Sequence, residues 1–499
     1  MHHCLYVDEI LRHVASELVV YKGRASAVAL ACCCKSFEDP VLDVLWETQE
    51  GLIPLFGSLP RDVWNGGVGA LTYPLSVHST THPQPFRRLP TKLEWARFRG
   101  YTRRMRRLEL YGPLPPLSQA FTVLQFCAFG EPLLPNLKSL VLAHVAENLV
   151  PFIPLFLSPG TSSIDLGFKH GFPEVMAASV VTALPTLCPD LQAISLNVLP
   201  RDSTMTAAVS EMLLATNRDT LQQLDLLSPL TEEVSEAICN LPNLRKLRVV
   251  IEGSGSLPTL VLPNLTEIDV EHDHDHDWLQ GFRGATFGKL ISVAFHCRSS
   301  SISDFLKAFE SVALTTSIPT TLSMFMFYPS TLCSWKPNYC SLLPFTQLKK
   351  LVIGFSCRPN CSSTIDDDIM TDLARAMPKL EILRFGNSPC QAPTGVTAKG
   401  LATLAYYCPR LSDLCVHFQV AGLDPSEIPQ VTSDDEPTIP LEECALTCLQ
   451  AGSICIPEES ASTVALALLR IFPRLNNILY MDQRWKKVVD AISVSKKTC

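Results

Sequence analysis

One pattern of apolar and polar positions recurs along the chain: three apolar anchors spaced L-x-x-L-x-L, often introduced by Pro-x. Clear copies are LPNLKSLVL (134–142), CPDLQAISL (188–196), TLQQLDL (220–226), LPNLRKLRV (241–249) and LPNLTEIDV (262–270). The pattern continues as FGKLISVAF (287–295), FTQLKKLVI (345–353), MPKLEILRF (377–385) and CPRLSDLCV (408–416). Weaker copies are MRRLEL (105–110), TSSIDL (161–166), LSMFMF (322–327), LEECAL (441–446) and LNNILY (475–480). The second and third anchors are two residues apart, so on a strand they point to one side while the residues between them face solvent. Between strands, SDFLKAFESVAL (303–314), DDDIMTDLARAM (366–377) and VTAKGLATLAYYC (396–408) predict helices. In the last, Val396, Leu401, Leu404 and Ala405 keep helical spacing before Pro409.

The fourteen registers recur about every 28 residues, within the upper range of leucine-rich repeats. A strand that cannot bury its apolar edge alone must stack on its neighbours. The expected fold is therefore α/β, a leucine-rich-repeat solenoid shaped as a horseshoe with a parallel concave sheet. Residues 94–499 form this domain, opened by the segment EWARFRGYTRRMRRLEL (94–110), with Trp95, Phe98, Thr102 and Met105 on one face of a capping helix. An acidic, proline-punctuated disordered loop is expected near 423–440. Residues 51–93 read as a linker with short helices, including the Gly/Ser/Thr/Pro-rich GGVGALTYPLSVHSTTHPQP.

Residues 1–50 predict a small helical domain. ALACCCKSFEDPVLDVLW (29–46) sets Cys32, Cys33 and Cys34 side by side. Consecutive helical side chains diverge by about 100°, so the three cannot converge on one tetrahedral ion and are expected to fill space in an apolar helix. That helix should end at Lys35-Ser36, with Pro40 stopping its continuation. A helix this apolar, in a segment too small for a core of its own, requires a partner.

VDEILRHV…SAVALACCCKSFEDPVLDVLW resembles the F-box of the fungal F-box/leucine-rich-repeat proteins. Asp8-Glu9-Ile10-Leu11 matches the motif's opening, with Val7 where the family has proline. Leu30, Ala31, Cys34, Lys35 and Phe37 match its middle, and Asp39-Pro40, Leu42, Leu45 and Trp46 its close. The resemblance implies the substrate receptor of an SCF-type ubiquitin ligase, whose F-box docks a Skp-type adaptor and through it cullin and RING subunits. It places the adaptor contacts on Ile10, Leu11, Leu30, Cys34, Pro40, Leu45 and Trp46. A second possibility is a stand-alone leucine-rich-repeat scaffold whose N-terminal helices only cap the array. A third, a GTPase activator on a leucine-rich scaffold, would want a highly regular acidic array, and this one is irregular.

Solvent-facing strand positions are the candidate surface for an unknown protein substrate: Ser195, Asn197, Asp225, Arg248, Asp269, Glu271, His296, Tyr328 and His417. Several acids against one arginine suggest a mildly acidic groove.

Composition narrows the partners. The 499 residues are 47% hydrophobic and 18% charged with a net charge of −8, and mean hydropathy is +0.18. Such a chain is not disordered overall, and its acidity argues against nucleic acid. No run approaches the roughly 18 apolar residues of a spanning helix, so no membrane partner is expected. The N-terminus MHHCLYVDEILRHV lacks a small-residue cleavage site, so no secretory signal is expected. Nineteen scattered cysteines, none in C-x-x-C spacing, suit a reducing cytoplasmic or nuclear location.

Other stretches look like chemistry without forming a site. EHDHDHDW (271–278) alternates imidazole and carboxylate, but neighbours two apart on a strand lie about 6.5–7 Å from each other, so a solvated turn is expected there. CSWKPNYC, CRPNC and CALTCLQAGSIC lack zinc spacing. The arginines between 97 and 107 could hold a phosphate, but a solvated capping helix is expected. Ser433 precedes Asp434-Asp435-Glu436 like an acidophilic kinase site, and sequons stand at Asn264 and Asn360. No phosphate-binding loop, nucleophile elbow or zinc-protease motif occurs, so no catalytic residues, metal or cofactor are assigned.

Overall fold

A computed structural model describes residues 7–64, 86–111, 118–168, 171–197, 203–251, 260–272, 286–297, 319–327, 339–356, 365–386, 395–420, 423, 444–452, 456, 460–480 and 482–498. The helix expected over 303–314, the loop expected over 424–440, the histidines at 274 and 276, Tyr328, Ser433 and Asn360 lie outside them. The chain divides into two compact units, Met1–Asn243 and Leu244–Cys499.

The first unit opens with three helices: α1 (Asp8–Lys22), α2 (Arg24–Cys33) and α3 (Lys35–Glu47). Asp8 and Glu9 sit in the first turn of α1, where carboxylates favour the positive helix end. The expected stop at Pro40 is corrected: α2 ends at Cys33, Cys34 is extended (φ −155, ψ 139), and α3 runs through Pro40 to Glu47. The proline stands sixth in the 13-residue α3, where it removes a single helical hydrogen bond, and it is buried. Leu11, Ala15, Ala27, Phe37, Val41 and Leu45 form the module's core, so the three helices do build one, if a small one.

The module runs straight into the sheet. β1 (Thr48–Gln49) pairs in parallel with β2 (Arg107–Leu110), an extra rung ahead of the first repeat expected from the sequence. Gln49 occupies the inward position beside Leu108 and is buried, its amide donating to the Leu45 carbonyl at 2.7 Å. The stretch 51–93 is therefore an excursion between two paired strands rather than a tether between module and array. Its described parts pack on their own, with Phe56 and Trp64 stacked at 4.3 Å and Phe86 edge-on to both. The capping helix, Lys92–Thr102, begins with a reciprocal Thr91–Glu94 capping box and buries Phe98 and Thr102, as the spacing predicted, but it ends at Thr102, so buried Met105 lies beyond it rather than on its face.

β3 (Ser139–Val145), β4 (Ser163–Phe168), β5 (Ala193–Asn197) and β6 (Gln223–Pro229) continue this unit's parallel sheet in chain order. Their inward anchors, such as Leu140, Leu142, Ile164, Leu166, Ile194 and Leu196, are all buried. A bulge between β3 and β4 brings the chains so close that a Cβ on Gly167 would lie 2.4 Å from the Ala143 carbonyl oxygen.

The second unit repeats the plan. β7 (Lys246–Ile251), β9 (Glu267–His272), β11 (Ser292–Cys297), β12 (Thr321–Phe327), β13 (Lys350–Ser356), β14 (Ile382–Phe385), β15 (Asp413–Cys415), β16 (Cys448–Gly452) and β17 (Asn477–Tyr480) pair in that order, all parallel. β8 (Val261–Leu262) and β10 (Thr286–Phe287) form a separate parallel pair. Helices Asp367–Ala376 and Ala398–Tyr407 occur where the pattern placed them. They are clasped by Asp367, whose carboxylate accepts from Thr397 N, Thr397 Oγ1 and Gly400 N at 2.6–3.0 Å.

Two registers are corrected. In LSMFMF the inward pair is Leu322 and Met324, aligned with Val293 and Phe295, so Phe325 faces outward. In the repeat assigned to LEECAL, the strand anchors are Leu449 and Ala451, preceded by buried Leu446. The chain is thus mixed α/β with extensive parallel sheet in each unit, compatible with a solenoid.

Candidate docking module and outward sheet face

Seven module residues were singled out, and the structure sorts them by depth. Leu11, Pro40 and Leu45 are buried in the module's core, which corrects their assignment as surface contacts: they hold the helices together. Leu30, Cys34 and Trp46 are half-buried and pack against that core. Trp46 also packs on Tyr101 of the capping helix, ring centroids 4.6 Å apart. Ile10 is 39% exposed.

Sequence reasoning missed the companions of Ile10. Val7, Val14 and Tyr21 are 43%, 36% and 76% exposed. Positions 10, 14 and 21 recur at helical spacing, so they share one stripe of α1, and Val7 is the extended residue just ahead of the helix. Val28 on α2 is a further exposed apolar side chain. The signal was present in the sequence, because Leu11, Ala15 and Leu18 form a second apolar stripe, more than a helix needs to pack on one side.

The expectation that the cysteines fill space is also corrected. Cys32 and Cys33 are exposed and Cys34 half-buried. Among the described residues, no three His, Cys, Asp or Glu side chains are placed to hold a metal ion.

The arginines that resembled an anion patch are largely committed to structure. Arg104 pairs with both Asp39 and Asp43 of α3, and Asp43 also pairs with Arg12 of α1. Arg99 pairs with Glu131 and donates to the Pro132 carbonyl at 2.8 Å. Arg107 pairs with Glu109, and Arg106 donates to the Asn136 carbonyl at 3.2 Å. These contacts fasten the module and its capping helix to the first rungs.

On the outward face of the second unit, four singled-out residues come together. Register sets Arg248 beside Asp269, and Glu271 beside His296. Arg248 lies 3.6 Å from Asp269 and 3.7 Å from Glu271, and His296 Nε2 is 3.3 Å from Asp269 Oδ1. Phe325, missed because its register was misjudged, stacks on His296 at 5.0 Å. Arg384, also missed, pairs with Asp413 at 2.6 Å, and Lys246 with Glu267 at 2.9 Å. This face is charge-paired rather than plainly acidic.

In the first unit, Asp225, Ser195 and Asp165 share one outward row of the sheet, and Asn197 is exposed at the end of β5. His417 lies just past β15, half-buried. Compared with known proteins, the chain matches no family model and no curated protein. No helix among the described residues is long and apolar enough to cross a membrane.

Proposed function

We propose that this chain is a non-catalytic substrate-recognition adaptor of an SCF-type ubiquitin ligase, α1–α3 docking a Skp-type adaptor and the repeats holding a protein substrate. The supporting observation is the exposed apolar stripe of α1, Ile10, Val14 and Tyr21, with exposed Val7 just ahead of it, on a module that already has a closed core. Exposed apolar side chains in series on one helix face are what helix-in-groove recognition uses, where a few anchors dominate affinity. The adaptor surface is then Ile10 with Val7 and Val14, flanked by the half-exposed Leu30, Cys34 and Trp46.

The alternative, a stand-alone scaffold with a helical cap, is favoured by the way β1 and Arg104 weld the module to the sheet. A cap alone has no use for a solvent-exposed apolar stripe. The test is capture of a Skp-type adaptor by the full chain and by its Ile10→Asp/Val14→Asp variant. Capture by the parent with loss of about thirtyfold or more in the variant is expected, from about 2 kcal/mol for a lost anchor. Equal capture by both, or by neither, would overturn the proposal.

A further inference from the structure

The second unit has an edge used neither by adaptor docking nor by the outward sheet face. It is the edge at which the unit's parallel strands begin. We propose that this edge is a docking surface for an acidic segment of a partner protein, a run of aspartates and glutamates lying across the strand starts.

Parallel pairing brings the starts of β7, β9 and β11 to β17 to one side, so the residues at or just ahead of each start form a line. Arg245, Lys289, Lys350, Lys379, Arg410 and Arg474 stand on it, all exposed except the half-buried Lys350. Two further lysines there are neutralised, Lys246 by Glu267 at 2.9 Å and Lys349 by Glu381 at 3.6 Å, while Asp413 is held by Arg384. The six make no ion pair among the described residues. Lys289 and Lys379 donate instead to neutral side chains, Asn264 at 3.0 Å and Gln347 at 2.6 Å, and so keep their charge. This uncompensated positive edge belongs to a chain whose net charge is −8.

Neither the repeat nor its helices require the charge. Lys289, Lys379, Arg410 and Arg474 sit three residues ahead of their strands, where the first unit has Asn136, Gly160, Asp190 and Thr220 ahead of β3 to β6. Helices ending at Ala376, Tyr407 and Ile471 bring carbonyls that favour cations close to Lys379, Arg410 and Arg474. No described helix does this for Arg245, Lys289 or Lys350.

Neighbouring strands lie about 5 Å apart, and an extended peptide advances about 3.3 Å per residue, so a run of acids can set carboxylates against successive rungs. Lys350, Lys379 and Arg410 occupy three consecutive rungs, β13, β14 and β15. Nucleic acid fits this edge less well, because no exposed aromatic side chain lines it among the described residues to stack on bases. Each exposed ion pair contributes little alone, so the surface acts by number and weakens with salt.

The test uses the full chain and a fluorescein-labelled octaglutamate peptide, followed by fluorescence anisotropy as salt rises from about 0.05 to about 0.3 M. Binding at low salt that weakens steadily as salt rises is expected. Lys379→Glu/Arg410→Glu/Arg474→Glu should weaken it about tenfold or more, since each pair is worth up to about fivefold and reversal adds repulsion. The corresponding Gln variant should fall between this and the parent. Lys92→Glu/Arg97→Glu/Arg103→Glu makes the same charge change at exposed positions of the first unit, and should bind within about twofold of the parent. No binding of octaglutamate, equal losses in the two Glu variants, or tighter binding of a labelled octathymidylate would overturn the assignment. No Skp-type adaptor enters the measurement, so failure here leaves the proposed function to its own test.

Discussion

The three-helix module and the rungs that follow it use the same apolar residue types and treat them differently. In the first unit, Leu108, Leu140, Ile164 and Ile194 are at most 2% exposed, whereas α1 leaves Ile10 and Val14 at 39% and 36%. A strand has two faces, and stacking covers the inward one completely. A helix presents apolar residues around a wider arc, and two short neighbours cannot cover it all. The rungs therefore cover their inward apolar face, while the module leaves an apolar stripe exposed.

The strongest way to break this contrast is to open a rung. Leu140→Ala removes a fully buried anchor between two paired strands and is expected to cost about 2–5 kcal/mol. A denaturant midpoint shift corresponding to less than about 1 kcal/mol would mean that the rungs are loosely packed.

Within the module, neighbouring residues should behave oppositely. Leu11 is 1% exposed and Ile10 39%, because successive helical side chains diverge by about 100°. Leu11→Ala should destabilise by about 2–4 kcal/mol, whereas Ile10→Ala should stay within about 0.5 kcal/mol. Thermal melts of both variants decide it. Similar losses in the two would mean that the exposed stripe is part of the module's own packing.

How much of this was legible in the sequence follows from the same geometry. The L-x-x-L-x-L registers could be read because one face of each strand is wholly apolar. They failed at LSMFMF, where apolar residues occupy both faces and a one-residue slip exchanges Leu322/Met324 for Phe325 and its neighbours. Only pairing with its neighbours β11 and β13 fixes the phase. β1 escaped notice because a glutamine fills its inward position, acceptable since the Leu45 carbonyl accepts from its amide and Arg24 donates to its oxygen. α3 was cut short because proline was treated as a barrier; the helix gives up one hydrogen bond at Pro40, and the buried Phe37, Pro40, Val41 and Leu45 hold it together across that position. The module's surface could not be separated from its core because Ile10 and Leu11 are both apolar, and only the placement of α2 and α3 assigns them.

The weld between module and rungs should yield a smaller effect. Arg104→Ala leaves Asp39 and Asp43 without their shared partner and should cost about 1 kcal/mol, most of it at Asp43, which is less exposed than Asp39. A salt titration sharpens this, since the cost should shrink as salt screens Asp39. A loss that is large and independent of salt would mean that Arg104 matters through packing instead.

The smallest expected effect concerns the capping helix that joins the two regions. Arg88, then the Thr91 amide, hold the Glu94 carboxyl well below its ordinary value of 4.5, at about 2. A carboxylate whose pKa is lowered by folding stabilises the folded state fully above its ordinary pKa. That contribution fades as pH falls from 4.5 toward 2. Glu94→Gln keeps an oxygen for the Thr91 amide but loses the charge that Arg88 binds. The parent should therefore melt slightly above the variant at pH 6, and the gap should narrow steadily between pH 4.5 and 2. A gap that stays constant across that range would place the role of Glu94 in the shape of the capping box rather than in its charge.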